Sequence, residues 1–397
     1  MGNSQPETML NPSTKITLIA TLTFGLEAVV KYEVKQLGFE KVKVSDGKVE
    51  FEATIADIPK ANLWLRSADR VLLKMGEFKA LTFDELFEKT KAIAWENWIP
   101  VDGEFPVLGK AQKSQLGSFR ACQSIVKKAV VERLKDSYQN EWFTERGAKY
   151  TIQVAMYKDV ATLTLDTTGS GLHKRGYRVQ AGEAPLKETM AAGLVQLSFW
   201  NPERRLLDPF CGSGTILIEA AMAGRNIAPG LLKKFDSEQW DAIPMTVWRE
   251  ARQSAQNSID QSPRDKELIM QGSDIDPEVI EAAKINAERA GVAQDINFAV
   301  KDVHDLWIDR QYGIVITNPP YGQRMADFQE LNQMYISLHH TFKKKWGWSI
   351  YVLTADKMFE RYFKRARPDR VRKLFNGRIE VNYYQYYGDR PPKADKK

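Results

Sequence analysis

Apolar positions recur along this chain with two different periods, and the changes of period mark its organisation. Lys15 to Thr23 alternates every second residue and predicts a strand. Between Phe24 and Leu37 the apolar residues Leu26, Val29, Val30, Val34 and Leu37 share one helical face, and Gly38 stops the helix. Lys41–Val44 and Lys48–Ala53, joined at Asp46-Gly47, predict a hairpin, and a second helix is expected from Ile58 to about Ser67. The pattern then repeats on a larger scale. Strands are expected at Val71–Phe78, near Phe105–Gly109, at Tyr150–Tyr157 and at Val160–Leu165, with helices at Phe83–Ala94 and Phe119–Ser137. Residues 1–14, polar and carrying Pro6 and Pro12, read as a loose tail.

Past Thr167 the pattern changes. A Gly-, Thr- and Ser-rich stretch to Gly182 reads as a linker holding the basic cluster His173-Lys-Arg-Gly-Tyr-Arg178. Beyond it short apolar strands alternate with helices, which predicts an α/β unit with a parallel, doubly wound sheet.

Bulk composition alters this picture little. The chain has 397 residues, 43% hydrophobic and 27% charged, as expected for two or three globular domains. The net charge of +6 permits a nucleic-acid partner without requiring one. Two cysteines, Cys122 and Cys211, make neither a disulfide framework nor a zinc site, and the four histidines are scattered, so no metal is expected. The apolar run from Ile16 to Val30 contains Gly25 and Glu27 and is too short to span a bilayer, so the expected compartment is the cytoplasm.

Two motifs carry the chemistry. The first is Asp208-Pro209-Phe210-Cys211-Gly212-Ser213-Gly214-Thr215, where a strand, a glycine turn and a helix start allow backbone to approach a ligand closely. It lacks the third glycine of a dinucleotide fingerprint and the Gly-Lys-Thr of a phosphate loop. Asp208 suits the ammonium of a methionine-like ligand. A second strand ends at Asp274-Ile275, where a carboxylate would bind a ribose diol, and a third ends at Asp302-Val303, where an acid would accept from an adenine amino group. Asp274 lies 66 residues beyond Asp208, against a usual interval of about 20, so Arg225–Lys266 is an insertion, helical and carrying Trp240 and Trp248.

The second motif is Asn318-Pro319-Pro320-Tyr321, after the apolar run Ile314–Ile316. An exocyclic amino group on a base is a poor nucleophile, because its lone pair is delocalised into the ring. The Asn318 side-chain oxygen and the Pro319 carbonyl would accept its hydrogens and favour the pyramidal, reactive geometry. Proline holds the backbone there and offers no competing N–H. Tyr321 would stack on a base drawn out of its helix. Together the motifs predict methyl transfer from S-adenosylmethionine (SAM) to an amide-like nitrogen, without metal or covalent nucleophile.

Residues 185 to 387 resemble a class I SAM-dependent amino-methyltransferase with a Rossmann-like fold. The segment Ala184-Pro-Leu-Lys-Glu-Thr189 resembles the extra helix motif of that group. His173–Arg178 and Asn226-Ile-Ala-Pro-Gly230 more specifically resemble bacterial THUMP-domain RNA methyltransferases, in particular the 23S rRNA guanine-N2 methyltransferase L family. The resemblance implies an α+β ferredoxin-like domain at 15–68, a THUMP RNA-binding domain at 69–167, a linker at 168–184 and a catalytic domain at 185–397. It implies SAM as cofactor and transfer to guanine N2 in structured RNA. Cofactor contacts would be Asp208, Pro209, Phe210, Gly212, Ser213, Gly214, Thr215, Asp274, Ile275, Asp302, Val303 and Asn318, and catalysis would fall to Asn318, Pro319, Pro320 and Tyr321. Members of the family can carry a second methyltransferase domain. This chain ends too early for one, so no second activity is expected.

The expected partner is 23S rRNA, with tRNA as rival; adenine N6 is chemically equivalent to guanine N2 for the second motif. From another class, the chain would be a non-catalytic RNA-binding assembly factor with an idle SAM site. Residues 361–378 hold eight basic residues against the single acid Asp369, which points to phosphate contact. The candidate RNA contacts are Lys113, Arg120, Lys174, Arg175, Arg178, Arg365 and Arg367. The tyrosines at 383, 384, 386 and 387 read as a final core strand.

Overall fold

The structure is a computed structural model that describes residues 10–179, 186–260, 267–320 and 325–390. The chain divides into two compact units, each built on a seven-stranded sheet. The first comprises residues up to Leu22, Val30–Leu172 and Lys233–Ser254; the second comprises Thr23–Val29, His173–Leu232 and the chain from Ala255 onward.

In the first unit β1 (Lys15–Leu22), α1 (Glu27–Gln36, whose first turn belongs to the second unit), β2 (Glu40–Ser45), β3 (Lys48–Thr54), α2 (Asp57–Trp64) and β4 (Ala68–Lys79) are followed by α3 (Phe83–Lys91), β5 (Val107–Gln112), α4 (Phe119–Tyr138), β6 (Ile152–Tyr157) and β7 (Val160–Asp166). Their order is β2-β3-β1-β4-β7-β6-β5. The hairpin turns at Gly47, whose φ of +69° is open to glycine without strain. Thr82 caps α3 by accepting from the Glu85 N–H at 3.1 Å, while the Glu85 carboxylate accepts from Leu81 N–H at 3.0 Å.

Two expectations need correction here. The stretch after Thr167 is built into the first unit. Thr167 Oγ1 donates to the Val71 carbonyl at 2.7 Å and Thr168 Oγ1 to Asn62 Oδ1 at 2.7 Å, both buried. The unit boundary falls instead between Leu172 and His173. Nor is 185–397 one continuous body. Trp240, from the expected insertion, stacks on Tyr150 at 4.9 Å, meets Trp98 edge-on at 6.1 Å and donates from Nε1 to the Lys149 carbonyl. It is a core residue of the first unit, because a buried indole needs both aromatic neighbours and a partner for its N–H.

The second unit contains α5 (Glu188–Leu197), β8 (Leu206–Asp208), α6 (Thr215–Gly224), β9 (Met270–Asp274), α8 (Pro277–Arg289), β10 (Ile296–Val300) and β11 (Gly313–Thr317). Between α6 and β9 lies α7 (Met245–Asp260), which straddles the unit boundary. The unit closes with α9 (Met325–Phe342), β12 (Trp348–Thr354), α10 (Phe359–Phe363), β13 (Arg370–Asn376) and β14 (Ile379–Tyr386). The strand order is β10-β9-β8-β11-β12-β14-β13, with β10 through β12 parallel and the last two antiparallel. The order reverses direction between β8 and β11, and a crevice at such a switch point, beyond the carboxyl ends of the strands, is where open α/β sheets bind ligands.

Candidate active site

Both sequence motifs converge on that switch point. Asp208 ends β8, and Thr317 ends its neighbour β11 with Asn318 directly after it. The Thr317 hydroxyl donates to Asp208 Oδ1 at 2.6 Å, and the same oxygen accepts the Phe210 N–H at 3.2 Å. One carboxylate thus ties the glycine loop to the end of the strand that presents Asn318. Asp208 is 1% exposed, and burial pushes its carboxyl up to about 7. Asp208, expected at the ammonium of the ligand, turns its Oδ1 inward, toward Thr317. Nothing in the sequence marks Thr317, since a threonine closing an apolar strand is common.

The loop itself has room for a ligand. Gly212 has φ of +48°, and a Cβ built on it meets nothing within 4 Å. Gly214 has φ of +82° and is pressed against Phe298, 2.9 Å from where its Cβ would lie, so only glycine lets α6 start there. Asn286 Nδ2 donates to the Ser213 carbonyl at 3.1 Å and fastens the loop to α8. The Gly212 N–H donates to Asp274 Oδ2 at 3.0 Å, which places the acid at the end of β9 beside the loop. Ile275 is 62% exposed next to it, an apolar surface for a ring. Pro209 is buried and Thr215 opens α6. Cys211 is buried, and burial raises its thiol well above its usual range, so it is not a nucleophile.

Asp302 takes part in its own turn. It accepts the His304 N–H at 2.9 Å and contacts His304 Nδ1 at 2.6 Å, and these bonds hold its carboxyl below the usual range. It remains partly exposed at the end of β10. The Val303 side chain, expected at the cofactor, packs instead in the core with Leu207, Val315 and Leu331, because an apolar side chain just past a parallel strand is drawn under the sheet. Asn318 is half-buried, Pro319 buried and Pro320 exposed. Tyr321 lies outside the described residues.

These features fit SAM: an open glycine turn, a carboxylate at the end of the neighbouring strand and an acceptor side chain across the switch point. A model of the RMKL-like methyltransferase domain matches residues 175–385, a model of the RlmL ferredoxin-like domain matches 17–72, and a THUMP model matches 80–166. The chain belongs to the RMKL-like, SAM-dependent methyltransferase family. A relative from Bacillus subtilis (strain 168), named "Putative RNA methyltransferase YpsC", is 48% identical over 96% of this chain and 98% of its own length. The ribosomal RNA large subunit methyltransferase K/L of Psychromonas ingrahamii is 37% identical over 91% of this chain, and the match spans 49% of that protein, about half its length. The crystal structure of SMU.472 complexed with SAH, the demethylated product of SAM, is 39% identical, covers 96% of this chain and 100% of that one, and superposes with a TM-score of 0.89.

Within this methyltransferase the expected RNA contacts divide. Lys113, Arg120, Lys174 and Arg367 are exposed. Three others are corrected. Arg175 is 2% exposed and pairs through Nε with Glu219 at 3.2 Å, while Tyr177 donates its hydroxyl to the same carboxylate at 3.2 Å. A lone acid in the apolar helix Thr215–Gly224 requires a buried cation, and that requirement was the missed signal. Arg178 pairs with Glu188 at 2.9 Å and donates to Thr215 Oγ1 at 3.0 Å, bracing the start of α6. Arg365 donates to the carbonyls of Phe342, Lys345 and Trp348. A guanidinium satisfying three carbonyls is a structural clamp. Among the described residues no group of three metal-ligating side chains is present, and no helix is long and apolar enough to cross a membrane.

Proposed function

We propose that the chain transfers a methyl group from SAM to the N2 amino group of a guanine in 23S rRNA. The observation that carries the reading is the junction of the two motifs at the switch point, where Asp208 and Thr317 join the SAM-type loop to the strand that presents Asn318. Gly212, Gly214, Asp274 and Ile275 hold the donor. The Asn318 oxygen and the Pro319 carbonyl accept the hydrogens of the target amine, and Tyr321 stacks on the extruded base. Alignment of nitrogen, methyl carbon and sulfur supplies the rest of the acceleration. An RNA substrate is supported by the THUMP match and by the names of the relatives; the cytoplasm is the compartment that goes with this reading.

The test is transfer from labelled SAM to separate pools of undermethylated rRNA and tRNA, with the product nucleoside identified by mass spectrometry. N2-methylguanosine in 23S rRNA is the expected result. The same nucleoside in tRNA would reassign the substrate, and N6-methyladenosine would keep the mechanism but overturn the base. Asn318→Ala should lower turnover by about two orders of magnitude or more, as removal of one transition-state hydrogen-bond partner does, while RNA binding persists. Unchanged turnover would remove Asn318 from the mechanism. SAM binding without transfer to any RNA would favour the assembly-factor reading.

A further inference from the structure

Away from the motif site, the second unit carries an aromatic pair flanked by arginines. Phe199, just past α5, is 52% exposed, and Tyr387, just past β14, is 39% exposed. Their rings lie 4.6 Å apart and tilted by 49°. The pair is fixed from beneath. Tyr351 meets both rings at 6.4 Å, and its hydroxyl accepts the Phe199 N–H at 3.0 Å. The Tyr387 hydroxyl donates to Gln385, and Asp369 accepts the Tyr387 N–H at 2.7 Å. Tyr387 was expected in the core strand with its neighbours. Tyr383, Tyr384 and Tyr386 are buried there, but Tyr387 falls one residue beyond the strand and turns outward.

Among the described residues the arginines beside the pair are only partly satisfied: Arg204 donates from Nη1 to the Phe199 carbonyl at 3.5 Å. Nε and Nη2 of Arg204 and Nε of Arg372 are shielded from solvent and meet no hydrogen-bond acceptor among the described residues. Burial holds both guanidiniums below their ordinary value; Arg372 is also opposed by Arg370, and each lies within electrostatic reach of the tyrosine cluster. Unmet donors of this kind are costly unless a ligand supplies acceptors. The location is specific too. Gly388, next to Tyr387, donates to Ser349 Oγ at 3.0 Å, near the start of β12, whereas Asn318 lies past the carboxyl end of the parallel neighbour β11. The patch and the methyl-transfer site therefore sit at opposite ends of one sheet.

We propose that this patch is a second RNA contact, where a single-stranded nucleotide stacks its base on the Phe199–Tyr387 pair and places its phosphate against Arg204 and Arg372. An aromatic face accepts any base, and a guanidinium fork matches phosphate oxygens, so the site takes unpaired RNA without reading its sequence. The inference rests on the RNA reading of the motif site. It extends that reading by requiring an unpaired stretch of substrate distant from the target base.

The test measures binding of the full chain to a fluorescent single-stranded oligoribonucleotide of about ten nucleotides, within the span of one single-strand site, across a salt series. Phe199→Ala with Tyr387→Ala should weaken binding about tenfold or more. Arg372→Gln should lower the log–log salt slope by about one. Phe199→Trp, which keeps a ring, should bind as the original does, and SAH affinity should be unchanged in every variant. If the double variant loses SAH affinity through misfolding, Arg372→Gln and Phe199→Trp decide, together with photocrosslinking, which should map to peptides containing Phe199 or Tyr387. Equal binding by original and variants overturns the patch. So does absence of single-strand binding in a chain that still methylates RNA, which leaves the catalytic reading intact. A chain that neither binds nor methylates RNA overturns both.

Discussion

In His173–Arg178 the arginines turn inward. Arg175 is paired with Glu219 at 1% and 0% side-chain exposure, and Arg178 is paired with Glu188. In the β13–β14 hairpin and the segment before it, Arg367 and Arg370 face solvent, and Arg372 keeps an unpartnered Nε. Both stretches are runs of arginine broken by small or aromatic residues, and in sequence they make the same suggestion. The difference lies in the opposing acids. Glu219 and Glu188 sit on apolar helices that must be buried, so each draws a guanidinium in with it, whereas residues 361–378 hold the lone acid Asp369, which is engaged with the Tyr387 N–H. The inward arginines brace the start of the helix that carries the SAM loop; the outward ones are available to a polyanion.

Glu219→Ala is the sharpest way to break this comparison. It removes the carboxylate that Arg175 pairs with in the core, and should destabilise the chain by about 3–5 kcal/mol in denaturant unfolding. Replacing both partners, Arg175→Met with Glu219→Leu, should recover most of that loss, because an apolar pair of similar volume replaces a desolvated ion pair. A loss below about 1 kcal/mol for Glu219→Ala would show that Arg175 finds water or another partner, and would return it to the candidate RNA contacts.

Asp208 gives the contrasting case of a buried carboxyl that faces Thr317, Phe210 and Asp274 and no cation among the described residues. Its folded value of about 7 stands above the ordinary 3.8, so its contribution to stability is present below about pH 4 and is lost as pH rises through about 7. Such a shift is worth on the order of 4 kcal/mol. Asp208→Asn keeps an acceptor for Thr317 and Phe210 but does not titrate. The stability difference between the two proteins should therefore move in favour of the asparagine variant as pH rises from about 4 to 8, by up to that amount. A difference independent of pH would mean that the carboxylate is solvated.

Much of this architecture was legible in sequence because it depends on local pattern. Period-two and period-3.6 runs located the strands and helices between Lys15 and Asp166 to within a few residues, and the glycine spacing at 212 and 214 marked the loop where the positive φ values occur. What was not legible depends on long-range partners. Trp240 reads only as one tryptophan of a helical insertion until Tyr150 and Trp98 close around it. Thr167 and Thr168 read as linker until Asn62 and Val71 take their hydroxyls. Thr317 acquires its role only when β8 and β11, separated by about a hundred residues of chain, lie side by side. Each case is a side chain whose chemistry is ordinary and whose neighbour is distant.

The smallest effect separates Arg367 from Arg365, two residues away. Arg367 is exposed, so Arg367→Gln should change unfolding stability by no more than about 0.5 kcal/mol. If it meets phosphate, the change should weaken RNA binding modestly and lower the salt slope by about one, because one fewer counterion is released. Arg365→Gln should behave in the opposite sense. Losing the donors to the Phe342, Lys345 and Trp348 carbonyls should cost stability and leave the slope unchanged. If both variants lower the slope equally, the carbonyl clamp does not take Arg365 away from RNA, and the division between inward and outward arginines fails in the segment leading into β13.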